Sequence, residues 1–148
     1  QRFFFPLNQE TNFKINKFFR IILKNKRKIS KILNIKGRVF EIKNYYEKIS
    51  RFDFKELCDQ NLGAEDYIEI VKVSNFIVIE NIPQFDDLNS NQQLRFITLM
   101  DVIYDKKIPI AVTAKQDLDQ FTSSKSLKKE FKRTLSRLYE LTSSGYES

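Results

Sequence analysis

Two short apolar runs, FIVIE at residues 76–80 and IPIAVTA at 108–114, have the length and composition of strands covered on both faces. Between them, from about Ser90 to Asp105, Phe96, Leu99, Met100 and Ile103 recur at helical spacing on one face, with Thr98, Asp101 and Asp105 on the other. A buried strand, a helix of this length and a second buried strand make a crossover with parallel strands, the unit of α/β sheets. In such sheets ligands gather at the carboxyl ends of the strands. Here those ends carry Glu80-Asn81 and Thr113-Ala114-Lys115.

Upstream, RFFF begins as a strand, and Pro6 and Asn8 mark the start of a helix that runs to about residue 24, with Asn8 as its N-cap. Ile15, Phe18, Phe19 and Ile22 fall at i, i+3, i+4 and i+7, a single apolar stripe that must pack on something, with Lys14, Lys17 and Lys24 elsewhere. SKILNIKGRVFEI, residues 30–42, alternates around Lys36-Gly37 as a β-hairpin does. From Ser50 the texture changes. SRFDFKELC is a short strand or turn leading into a short helix, Gly63 interrupts the chain, and a helix follows from about Ala64 to Lys72. NIPQFDDLNSN is a loop turned by Pro83 and Asn89, and after a second loop rich in Ser and Lys a last helix spans about 126–142. The expected fold is α/β, a parallel strand-helix-strand unit within residues 51–148 preceded by a basic strand-helix-hairpin segment, residues 1–50.

Composition narrows what this fold can do. With 148 residues, 41% of them hydrophobic and 30% charged, the chain can bury one core but has no run near the roughly 20 apolar residues a bilayer span needs. FFRIILK at 18–24 reads as part of a core helix. There is no histidine and Cys58 is the only cysteine, which excludes histidine-based triads and an internal disulfide. The usual zinc or non-haem iron ligand sets cannot be assembled either, so no metal site is expected, and Cys58 reads as a buried, inert thiol. Gln1 in place of an initiating methionine, with strand character at once, reads as a piece of a longer protein.

Charge is unevenly spread. Residues 1–50 carry 13 Lys/Arg and 3 Asp/Glu, a balance of +10, whereas residues 51–148 stand at −3. The densest cluster, KNKRKISK at 24–31, has two readings. It is either a solvated helix end, with cations well placed near the negative C-terminus, or a contact for the phosphates of nucleic acid or of an anionic membrane.

The last helix poses a similar choice. In FKRTLSRLYELTSSGY, residues 131–146, Phe131, Leu135 and Leu138 share one face while Arg133 and Arg137 sit one turn apart on the opposite one. Glu130 and Glu140, each three residues from an arginine, are expected as helical partners worth ~0.2–0.5 kcal/mol each. The alternative is a phosphate, onto which a guanidinium forks while staying charged.

The blocks SRFDFKELC, LGAEDYIEI, RFITLMDVIYDKKIPIAVTA and EFKRTLSRLYE, in this order and at these spacings, resemble the C-terminal part of the ZapE-like ATPases. These are bacterial cell-division ATPases whose eukaryotic relatives are mitochondrial ATPases of the ATPase-family-gene-one type. The resemblance is firm from Arg51 to Tyr146 and looser from Arg2 to Ile42. It implies a P-loop protein of the AAA+ class with a three-layer sheet, hydrolysing ATP with Mg²⁺. It also implies that the phosphate loop lies upstream. GxxxxGK[ST] is needed to enclose the phosphates, and Gly37, Gly63 and Gly145 carry no such motif. This portion alone is therefore expected to hold no nucleotide tightly and to be inactive.

FIVIENIPQF, the helix and IPIAVTA resemble in outline a Walker B strand, helix and sensor strand, but Glu80-Asn81 is one carboxylate short of an acidic pair and the family's own Walker B lies upstream. The unit therefore reads first as a degenerate echo or plain sheet scaffold, with Glu80 and Thr113 kept as the weaker nucleotide-site candidates. Arg133 and Arg137 match the family's RT-x-SRL block, and the resemblance implies a γ-phosphate sensor or an arginine finger toward a neighbouring subunit, with Arg137 ahead of Arg133. Arg95 is a further candidate. Implied partners are the N-terminal ATPase half, other copies of the chain and a division-ring or other protein; the implied setting is cytoplasmic, peripheral at the inner membrane, or mitochondrial in a eukaryote. The competing expectation is a non-enzymatic basic module that docks on nucleic acid, an anionic membrane or a protein.

Overall fold

The computed structural model describes residues 1–146. A five-stranded sheet runs in the order β1(Phe3–Phe4), β7(Ile110–Ala114), β6(Phe76–Ile82), β5(Ile49–Asp53), β4(Asn44–Tyr46), and a separate hairpin pairs β2(Lys31–Ile35) with β3(Arg38–Ile42). Neighbours from β1 to β5 are parallel, and β4 closes the edge antiparallel to β5. The helices are α1(Gln9–Leu23), α2(Phe54–Cys58), α3(Ala64–Lys72), α4(Ser90–Asp105) and α5(Lys128–Ser143). The α/β expectation holds, as does the parallel unit: β6, α4 and β7 form it.

Strand alternation splits the core in two. Ile49, Phe76, Val78 and Ala111 face Ile15, Phe19 and Ile22 of α1. Phe52, Ile77, Ile79 and Val112 face the opposite way, into a larger core with Tyr67 of α3, Phe96 and Met100 of α4 and Phe131 and Leu138 of α5. Three layers result: α1, the sheet, and the helices α2 to α5. The inward stripe of α1 is three buried side chains worth roughly 1.5–3 kcal/mol each, and Asn8 starts that helix by accepting the Thr11 N–H at 2.9 Å.

Two tight turns close the two hairpins. Lys36 and Gly37 both have positive φ, 50° and 81°, which is the two-residue turn that matches strand twist. Glu47 and Lys48, at 48° and 78°, make the same turn between β4 and β5. That second hairpin was not expected, because neither turn residue is glycine and NYY shows no alternation. Three boundaries also move. β6 extends two residues beyond FIVIE, β7 begins at Ile110 rather than 108, and α5 runs Lys128–Ser143 after a 3-10 turn. No helix among the described residues is long and apolar enough to cross a membrane.

Candidate functional site

The carboxyl ends of β5 and β6 carry a connected polar cluster. Arg51 on β5 forks onto Glu80 of β6, Nε to Oε1 at 2.5 Å and Nη2 to Oε2 at 3.0 Å. Its Nη2 also donates to Asn16 Oδ1 of α1 at 2.7 Å, and the guanidinium lies 4.6 Å from the centroid of the Phe19 ring. Both side chains of the ion pair are only 18% exposed. One residue on, Asn81 takes φ 65° where the β6–β7 register slips, a conformation asparagine tolerates better than most residues. Its N–H donates to Thr113 Oγ1 at 2.8 Å, and its side-chain amide donates to Asp53 Oδ1 at 2.6 Å. Asp53 Oδ2 in turn accepts the Lys55 N–H and starts α2.

A cleft of about 430 Å³ opens beside this cluster, lined by Asp53, Lys55, Asp59, Asn81, Asn89 and Gln92. Its carboxylates are already engaged: Asp59 accepts from Gln92 at 3.0 Å and Asp53 as above. Glu80 and Thr113 are thus both at strand ends, as expected, but each is used inside the fold. Glu80 spends both oxygens on Arg51, and Thr113, 1% exposed, seats the irregular turn at Asn81.

Arg133 and Arg137 lie elsewhere, on the helical layer across the sheet from α1, where α5 packs on α4. Both converge on one carboxylate, Asp101 of α4. Arg137 Nη1 donates to Oδ1 at 2.5 Å, while Arg133 Nη2 stands 3.7 Å from Oδ2. Arg137 is held further, its guanidinium 4.5 Å from the centroid of the Tyr104 ring and its side chain 25% exposed; Arg133 is 59% exposed. The expected helical partners are not used. Glu140 instead binds Lys107 at 3.3 Å and accepts from the Tyr104 hydroxyl, and Glu130 forms no ion pair among the described residues. The physical reason is that a cross-helix carboxylate at the α4–α5 seam is held in place by packing, whereas helical i,i+3 pairs gain little.

Arg137 also lines a second cleft of about 520 Å³ between α3, α4 and α5. Arg95 donates to the Cys58 carbonyl at 3.2 Å and ties α4 to the end of α2. Cys58 is fully buried, and burial pushes its thiol well above the ordinary value, so it is no nucleophile.

The structure therefore does not bring the four candidates together. Glu80 and Thr113 share the α1 side of the sheet, and the two arginines sit outside its other side. Sequence reading missed Arg51 and Asp101, the residues that decide what the candidates can do.

The residues present do not fit a complete ATP and Mg²⁺ site. Gly37 lies in a hairpin turn, Gly63 caps α3 and Gly145 follows α5, so none joins a parallel strand to a helix as a phosphate cradle must. No group of three or more His, Cys, Asp or Glu among the described residues could hold a metal ion.

A mostly parallel sheet with helices on both faces, and polar groups at its strand ends, places the chain among the three-layer α/β proteins. Within that class it belongs to the AFG1-like ATPase family, which it matches over residues 1–148. It is 33% identical over 111 residues to Lactation elevated protein 1 homolog B of Danio rerio, covering 75% of this chain and 22% of that protein. It is 28% identical over 141 residues to Cell division protein ZapE of Escherichia coli K12, and equally to that of strain O157:H7, covering 95% of this chain and 38% of theirs. The chain thus spans less than two fifths of the length of these relatives. No solved structure gives a significant match.

Proposed function

We propose that these residues are the C-terminal portion of an ATP-hydrolysing protein, and that they lend arginine assistance to a nucleotide whose phosphate loop lies outside them. The observation that carries this reading is the Arg133–Asp101–Arg137 cluster: two guanidiniums share one carboxylate on an open surface. One positive charge is left over, and the more exposed arginine holds it. Arg133 is then the group that reaches a phosphate oxygen presented by another surface, and Arg137, stacked on Tyr104, positions it by occupying Asp101. Such a contact acts by stabilising charge that develops as the terminal phosphoryl group leaves for water. The relatives' printed name makes a cell-division protein one partner class to test, and a neighbouring copy of the chain another.

The test is ATP turnover by the longer protein that carries this chain, with nucleotide binding and melting measured alongside. Arg133→Ala should keep ATP binding and lose turnover by roughly 10³-fold, the scale of arginine fingers. Arg133→Lys should rescue little, because an ammonium cannot fork onto two oxygens. Normal turnover by Arg133→Ala and Arg137→Ala together would reduce the cluster to helix packing.

A further inference from the structure

The outward face of α1 has no role in the sheet, and its composition is unusual for a solvated helix. At 100° per residue, Phe13, Lys17 and Arg20 point away from the Ile15–Phe19–Ile22 stripe, with Ile21 beside them and the exposed Lys24 at the helix's C-cap. Phe13 is 62% and Ile21 64% exposed. The helix then runs into Lys26, Arg27 and Lys28. Among the described residues Lys17, Arg20, Lys24, Lys26, Arg27 and Lys28 form no ion pair. The anions nearby are few, and none pairs with these cations: Glu10 holds Lys14 at 3.2 Å, Glu47 accepts the Arg27 backbone N–H at 2.7 Å, and Glu41 accepts from the Ser30 hydroxyl at 2.7 Å.

We infer that this face docks on an anionic phospholipid surface. Charge complementarity selects a polyanion, and the two exposed apolar side chains select which one. Phe13 and Ile21 can sink below the headgroups while the lysine stems let their ammonium groups stay among the phosphates. A nucleic acid backbone has nothing to desolvate an isoleucine. The contact is peripheral, made by one face of a folded helix whose other face stays in the core. It is independent of the ATPase reading.

Co-sedimentation of the full chain with vesicles tests this. The chain should pellet with phosphatidylcholine vesicles containing about 30% phosphatidylglycerol and not with phosphatidylcholine alone, and binding should weaken roughly fivefold for each cation neutralised among Lys17, Arg20 and Lys24. Phe13→Ser with Ile21→Ser changes no charge and touches no core residue, so it should keep the melting temperature and lose affinity by about tenfold or more. No binding to anionic vesicles at low salt overturns the inference. So does undiminished binding by the serine variant, or tighter binding to duplex DNA at equal phosphate concentration, either of which makes the face a general polyanion contact.

Discussion

Two of the arginine–carboxylate sites in this molecule differ in stoichiometry and in depth. At the strand ends, one arginine meets one carboxylate through two hydrogen bonds, roofed by Asn16 and Phe19 of α1. At the α4–α5 seam, two arginines meet one carboxylate in the open. The first site is closed: its charges cancel and both side chains are largely buried. The second has a donor to spare. Charge pairing inside a fold is architecture, and an unbalanced pair at its surface is what a ligand can use.

The contrast is sharpest in stability. Arg51→Ala strands Glu80 in a largely dry setting, unpins α1 from β5 and should cost about 3 kcal/mol, near the lower figure for broken buried pairs because some solvent remains. In a chain of this size that is a drop of roughly 6–12 °C in thermal midpoint. Removing both partners, Arg51→Ala with Glu80→Ala, should recover part of that loss, since no charge is then left unpaired; a double variant worse than the single one would deny the closed-pair description. Arg137→Ala should cost about 1 kcal/mol, from its hydrogen bond to Asp101 and its stacking on Tyr104. Arg133→Ala should cost less than about 0.5 kcal/mol in urea unfolding, as exposed ion pairs do. If Arg133 proved as costly as Arg51, the seam would be another closed site and its arginine unavailable.

Much of the architecture could be read from residue pattern, and the failures share a cause. The bounds of α3 and α4, the turn at Lys36-Gly37 and the burial of β6 and β7 all follow from local periodicity and turn chemistry. β4 escaped because its turn uses Glu47 and Lys48 at positive φ, where glycine or asparagine is the usual signal. For the candidate site, the positions of Glu80, Thr113, Arg133 and Arg137 on their elements were legible, but their partners were not. A helical wheel offers Arg137 only Glu140, whereas its real partner Asp101 comes from another helix, 36 residues away in sequence. Likewise Glu80 at a strand end leaves scaffold and nucleotide contact both open until Arg51, 29 residues earlier, is seen to occupy it.

The family relationship and the fold inform different questions. Four sequence blocks pointed to the family, and the match over residues 1–148 confirms membership. The geometry instead ranks the residues within it. It sets Glu80 and Thr113 among the supports of the strand ends and leaves the seam and the outward face of α1 as surfaces with something to offer.

The first strand has a mechanical consequence. Arg2 donates its backbone N–H to the Thr142 carbonyl at 2.8 Å, and its guanidinium donates to the carbonyls of Leu141 and Ile110 at 2.9 Å each. The opening segment is therefore latched to the far end of α5, the helix that carries Arg133 and Arg137. The same residue is bonded to β7, through Ile110 and through the Val112 N–H that donates to its carbonyl at 2.9 Å, so one arginine clamps the sheet edge to the helix that carries the seam and fixes where that helix can lie.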